Sequence, residues 1–288
     1  MVNLRGYTLI VILSVIWGMA FVAIKRADAE LSSNNLTLLR WLVVAAGFMV
    51  LYPVLVKPKA KFEMKDFPRL LVVALTSVGI YHLSLNAAEK TVNASLAGLL
   101  ISLSPLTTVL LSGMVLHEKI YGRLGLALIL AITGALLISS QDFSVTAGAG
   151  PLLVVVAALA SGTYTVASKP LVGKYGPFAV AAWAAFLGTA MLLPLVSPSL
   201  IEQAQSLSEV GWASVLYLAI LSTVVANLIL YTLVDRQAVS KLGVQLYLVP
   251  VVSAAGGVLV LGESLGPATL AGGALLLVAV ALGMSRRH

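Results

Sequence analysis

The residues able to do chemistry in this chain are few, and most sit inside apolar runs. His82, Asn86 and Glu89 fall at i, i+4 and i+7, so a helix would set them along one face, with Tyr81 beside the histidine and Gly79 just before it. Asn227, Tyr231 and Asp235 make a comparable face later in the chain. Ser14, Trp17 and Phe21 form a third stripe, with Tyr164 as its approximate counterpart. Polar and aromatic groups set in apolar surroundings are candidates for function by default. The chemistry open to these ones is binding, through hydroxyl, amide and imidazole hydrogen bonds and aromatic walls. The plain alternative, interhelical hydrogen bonding and packing, stays open for each of them.

Catalysis has little to stand on. There is no cysteine, so thiolate chemistry and disulfides are excluded. Of three histidines one is the last residue, and no H-E-x-x-H occurs. All eleven carboxylates lie in loops or within a turn or two of expected helix ends. An intramembrane enzyme would need a metal pair, a dyad or a deep acid, and the sequence offers none. No G-x-x-x-x-G-K-[ST] occurs, and Lys169 and Lys174 near Gly173 do not make one, so ATP is not hydrolysed here and no ATPase subunit is implied. Neither a metal nor a cofactor is expected.

The elements that must position these residues come twice. Ser95 to Gly122 and Ser240 to Gly266 align at a constant offset of 145: Ser95 meets Ser240, Gly98 meets Gly243, Pro105 meets Pro250, and Leu116-x-Glu118 meets Leu261-x-Glu263. Each copy is an apolar run with a proline near its centre and a glutamate at its far end. A proline inside a helix donates no N–H and crowds the carbonyl four residues back. The carbonyls of Ile101 and Leu246 are therefore expected to be under-satisfied at membrane depth, where only protein or a wet cavity can serve them. Two interrupted helices at matching positions of two halves point to the central site of a carrier.

Composition agrees with a membrane setting. The chain is 60% hydrophobic and 10% charged, with mean hydropathy +1.03, against about 25% charged in soluble proteins. Ten segments approach the ~20 residues a helix needs to cross a bilayer: 7–25, 34–56, 68–88, 93–116, 122–140, 149–170, 177–197, 210–234, 241–261 and 267–285. The net charge of +7 suits nucleic acid until its location is examined. Fourteen lysines and arginines fall in loops on the side of the N-terminus, against Lys25, Arg26 and Lys90 on the other. That bias places both termini in the cytoplasm and removes nucleic acid as a partner. Residues 1–29, ending in Ala27-Asp28-Ala29, could pass for a signal peptide. Trp17-Gly18 through Ala23-x-Lys25 is echoed, however, by Ser161-Gly162 through Ala167-x-Lys169, so a structural helix is expected.

With five helices per half, the second half enters the membrane from the opposite side. The expected fold is an all-α integral membrane protein of two inverted five-helix repeats, 1–144 and 145–288, in one membrane domain, with a site at the repeat interface. The doubled Pro-x12-Glu run, Trp17-Gly18 and ten helices in one chain of this length resemble the drug/metabolite transporter superfamily of EamA type, and within it YddG-like amino-acid exporters. The resemblance implies a basket-like cavity between the halves, an aromatic lining, and export of aromatic or other neutral amino acids across a bacterial inner membrane. Nucleosides, nucleotide sugars and cationic drugs remain alternatives within the superfamily, and a channel remains one outside it. Anionic nucleotides would call for a deep lysine or arginine, and only Arg40 approaches that, near the outer end of its helix.

The expected substrate contacts are Trp17, Phe21, Tyr81, His82, Asn86, Ser102, Tyr164, Asn227, Tyr231 and Tyr247, with Ser102 and Tyr247 one turn before the prolines. The expected hinges are Pro105 and Pro250 with Gly98 and Gly243. Glu118 and Glu263, at opposite membrane faces, read either as gate braces or as acceptors of N–H groups on the next helix. Lys25 and Lys169 read as snorkelling residues. Because no carboxylate lies deep in the path, the simplest transport mode is facilitated diffusion, with His82 the one group that could couple protons.

Overall fold

A computed structural model of the chain describes residues 4–55, 61–119, 122–139, 149–264 and 266–284. Every regular element among the described residues is helical. The expected boundary at 144/145, and Lys57, Lys59, Arg286 and Arg287 of the charge argument, lie outside them. The helices are α1 (Leu4–Ala27), α2 (Ser33–Leu55), α3 (Met64–Glu89), α4 (Ala94–Leu100 and Leu103–Leu116), α5 (Gly122–Ser139) and α6 (Gly150–Tyr175). They continue as α7 (Pro177–Leu192), α8 (Glu209–Arg236), α9 (Val239–Gln245 and Leu248–Leu261) and α10 (Pro267–Met284), with a short helix Pro198–Ser206 between α7 and α8. Among the described residues, seven helices are long and apolar enough to cross a membrane. Val11, Val50, Met114 and Leu152 are exposed on their flanks. In water such surface would be a liability; against lipid it is the ordinary outer face.

α4 and α9 are interrupted where the prolines forecast, but the break is better satisfied than expected. Ile101 and Ser102 form a turn, and Pro105 falls in the first turn of the second piece, where its missing N–H costs nothing. The Ile101 carbonyl accepts from the Ser104 N–H at 2.9 Å, and that of Leu246 from Val249 at 3.0 Å. The expectation of under-satisfied carbonyls is thus corrected: an i→i+3 bond replaces the one that proline removes.

Two further irregularities occur at matching places. α3 runs as a π-helix over Leu75–Ile80, and α8 does so over Tyr217–Val225. A π-segment shifts the helix register and re-aims the residues in it. Here Ser77 and Ser222, 145 positions apart, are turned to the interior.

The packing is exchanged between the two halves of the sequence. Ala94–Leu100 packs on Leu248–Leu261, and Val239–Gln245 packs on Leu103–Leu116, so α4 and α9 lie antiparallel. α1 packs on the second piece of α9, as α6 packs on the second piece of α4. Glycine makes both approaches possible. A Cβ on Gly18 would sit 2.5 Å from Val252, and one on Gly162 would sit 2.6 Å from Thr107. α5 and α10 pack on each other at one side of the molecule, and α2 and α7 pack together at the other.

Candidate functional site

The interrupted stretches of α4 and α9 border a central cleft of about 830 Å³, counted out to its open mouth. Its wall takes Trp17, Phe21 and Ile24 from α1, Arg40 from α2, and Ser77, Tyr81, His82 and Leu85 from α3. α4 contributes Ile101, Ser102, Ser104 and Pro105, and α9 contributes Leu246, Val249 and Pro250. The wall is closed by Ser161, Tyr164 and Thr165 of α6 and Ser222 and Asn227 of α8. Aromatic rings and small hydroxyls dominate, and among the described residues no Asp or Glu lines the cleft.

The π-segments tie this wall together. The Trp17 indole N–H donates to the Ser222 carbonyl at 3.1 Å, which is how a tryptophan is held far from the membrane surface. The Tyr217 hydroxyl donates to the Ile16 carbonyl at 2.9 Å, one helical step away. His82 packs edge-on against Trp41 at 5.2 Å and Tyr81 at 4.8 Å, leaving its Nδ1 without a hydrogen-bond partner. Tyr81 meets Tyr164 across the cleft at 6.3 Å.

Seven of the expected contacts therefore share one wall: Trp17, Phe21, Tyr81, His82, Ser102, Tyr164 and Asn227. Three do not. Asn86 is buried and donates from Nδ2 to Thr37 Oγ1 at 2.8 Å, while its backbone carbonyl accepts from the Ser33 hydroxyl, so it fastens α3 to α2. Tyr231 lies in an apolar core shared by both halves of the chain, with Leu230 and Val234 and with Ile10, Leu13 and Leu38. Tyr247 is sealed against Val109, Ala127, Leu128, Ala131 and Ala279. It points toward α5 and α10, and Leu246 takes the place at the cleft. Both prolines line the cleft. Gly98 serves close approach, since a Cβ there would collide with Ser253. Gly243 lies within the first piece of α9. Trp41 is buried behind His82. Trp183 donates to the Tyr52 hydroxyl at 3.0 Å within a cluster of Phe62 and Tyr175.

Sequence reasoning missed Arg40 as a site residue. It is only 3% exposed, donating from Nε to Thr223 Oγ1 at 2.8 Å and from Nη2 to Ser222 Oγ at 3.4 Å. Among the described residues no carboxylate lies within ion-pairing distance of it. The one signal in the sequence was its place seven residues into α2, about two turns in, where an arginine reads equally as interfacial.

The ends of the cleft-forming helices are fastened by crossed bonds. Glu118, closing α4, accepts from the Val239 and Ser240 N–H groups that open α9, at 2.9 and 2.8 Å. Glu263, closing α9, accepts from the Ala94 and Ser95 N–H groups that open α4, both at 3.2 Å, and from the Ser95 hydroxyl. The acceptor role holds, but the donors belong to the other half and not to the next helix. Lys25 donates to the Glu89 and Val92 carbonyls at 2.6 and 3.0 Å, and Lys169 donates to those of Val234 and Gln237. These lysines cap the carbonyl ends of α3 and α8, a tighter role than snorkelling.

A helical membrane bundle enclosing an aromatic, hydroxyl-lined cleft between interrupted helices defines a membrane transporter. The sequence signature of the EamA-like transporter family matches residues 4–140 and again 148–284, and the chain belongs to that family. It is 30% identical over 271 residues to an uncharacterized transporter of Archaeoglobus fulgidus, covering 94% of this chain and 95% of that one. It is 32% identical over 279 residues to a protein of Streptantibioticus cattleyicolor described as a probable terminal-alkyne amino-acid exporter, covering 95% and 91%. A Salmonella typhimurium protein described as a probable amino-acid metabolite efflux pump is 29% identical, over 91% of this chain and 89% of that one. A solved crystal structure superposes with a TM-score of 0.75 at 20% identity over 97% of this chain and 96% of the other, a likeness of fold.

Proposed function

We propose that this chain is a secondary transporter that exports small neutral metabolites, chiefly aromatic and other neutral amino acids, by alternating access and without coupling to an ion gradient. In this reading ten helices cross a bacterial inner membrane with both termini in the cytoplasm. Residues 1–144 and 145–288 form two inverted five-helix repeats within one membrane domain. The observation that carries it is the cleft itself, bounded by both interrupted helices and walled by Trp17, Phe21, Tyr81, His82 and Tyr164. The hydrogen bonds repeated 145 residues apart support the two-fold arrangement, as does the doubled family match. The absence of Asp and Glu from the described wall supports uncoupled movement. Two relatives are described as amino-acid exporters or efflux pumps, which favours amino acids over nucleosides or cationic drugs.

Rocking of the helices about Pro105 and Pro250 would open the cleft to one side and then the other, while the crossed bonds of Glu118 and Glu263 hold the ends. Counterflow into vesicles preloaded with unlabelled neutral amino acid tests this. Labelled amino acid is expected to enter faster than into empty vesicles, and Trp17→Ala is expected to slow entry about tenfold or more with little change in melting temperature. Equal entry into loaded and empty vesicles would sink the carrier reading. Accumulation above the outside concentration under an imposed pH gradient would refute uncoupled movement.

A further inference from the structure

We infer that Arg40 is the receptor for a substrate carboxylate, so that the cleft selects small monoanionic or zwitterionic carboxylates over amines and amides. This rests on the transporter reading of the same cleft and adds the chemical group on which recognition turns.

Arg40 lines the cleft while almost wholly buried, an expensive place for a cation unless something answers its charge. The protein only orients it. Thr223 Oγ1 accepts from Nε and Ser222 Oγ accepts from Nη2, both hydroxyls lying in the π-segment of α8. Neither acceptor carries charge, and among the described residues Nη1 meets no acceptor at all. The buried acid of this neighbourhood, Glu89, has both oxygens without a donor, so it does not form a pair with the guanidinium.

A guanidinium fixed at one edge, with its remaining N–H groups free, matches a carboxylate two oxygens wide. The wall supplies no second cation among its described residues, which fits one negative charge and not the several of a nucleotide. Ser77 and Ser222 stand beside the same opening, and Trp17, Tyr81 and Tyr164 offer flat faces for the rest of the molecule. Arg40 is thus a binding residue, and Thr223 and Ser222 are its positioning residues.

The test uses the whole purified chain and ligands that differ only in the group in question. L-phenylalanine and 3-phenylpropionate carry the carboxylate; L-phenylalaninamide and phenethylamine lack it. Both acids are expected to raise the melting temperature in detergent saturably, and the amide and amine are not. Arg40→Gln is expected to lose the acids' effect, with apparent affinity down about 10- to 100-fold. Arg40→Lys is expected to keep part of it, as a purely structural arginine would not require. If Arg40→Gln fails to fold, the acid-against-amide comparison in the unaltered chain carries the test alone. Equal stabilisation by acid and amide, or none by either acid, overturns the inference, as does an Arg40→Gln protein that responds normally. Vesicle counterflow separates this from the function itself. Binding of acids without counterflow would remove the transport reading and keep the carboxylate receptor. Counterflow of amines and amides as fast as acids would keep the transporter and remove the receptor.

Discussion

Asp28 follows α1 with both carboxylate oxygens buried and without a hydrogen-bond donor, and Lys90 Nζ lies 3.6 Å from Oδ1. Burial pushes its pKa up from 3.8 to about 6, outweighing the pull of Lys90 and Lys25. Below the lower value both folded and unfolded chains hold the proton. Between the two the folded chain holds more, so stability falls as pH rises through that window and stays lower above it. Asp28→Asn is therefore expected to raise the melting temperature near neutral pH and to flatten its decline between about pH 4 and 6. An unchanged profile would mean that Lys90 already balances the charge. Arg40 shows the opposite legibility. The sequence displays an arginine two turns into an apolar helix, a position that reads equally as interfacial. Whether its guanidinium turns to the lipid surface or to the interior is decided by Thr223 and Ser222, more than 180 residues away. Trp17 was legible because it stands ten residues from the end of α1, too far in for the surface explanation, and His82 because it is a polar ring within an apolar run.

The interrupted helices show what a pattern can and cannot give at the level of one element. Proline has a local effect, so the breaks after Leu100 and Gln245 could be placed from Pro105 and Pro250. The way each break heals depends on the turn around Ile101 and Leu246, and spacing alone does not show that turn. Tyr247 was misplaced for a related reason. It stands 145 residues from Ser102, yet the cleft is not symmetric at that point, and the larger ring is taken up by the apolar layer of α5 and α10. The glutamates were recognisable as acceptors, but their donors were not, because the two antiparallel helices meet only in the folded chain. Carboxylates closing helix N-termini contribute about 1 kcal/mol each. Glu118→Gln and Glu263→Gln are each expected to lower the melting temperature by a few degrees. The double substitution is expected to lower it by the sum, since the two sites lie at opposite ends. A sum far exceeding the parts would show that α4 and α9 transmit strain along their length.

For the molecule as a whole, sidedness is the quantity to check. The described loops segregate to two ends. Lys174 pairs with Glu63 and Asp66 at one end, while Glu30 bonds Ser208 and Asn35 bonds Gln203 at the other. The chain has no cysteine, so single cysteines can be introduced without interference. One replacing Gln203 is expected to react with a membrane-impermeant maleimide in intact cells, and one replacing Lys119 only after permeabilisation. The reverse pattern would invert the orientation read from the basic residues. The duplication was legible because the same residues recur at a fixed offset. The exchange of partners between halves was not, since α1 on α9 and α6 on α4 are contacts no single repeat contains. Those crossed carboxylate clasps also bear on energetics. Each end of the α4–α9 pair is held by the same kind of fastening, one glutamate on two successive amides, with the Ser95 hydroxyl as a further donor at Glu263. If the chain moves substrate without external drive, as proposed above, turnover is fastest when its two resting poses are close to isoenergetic, and a matched clasp at each end of the α4–α9 pair would favour that balance.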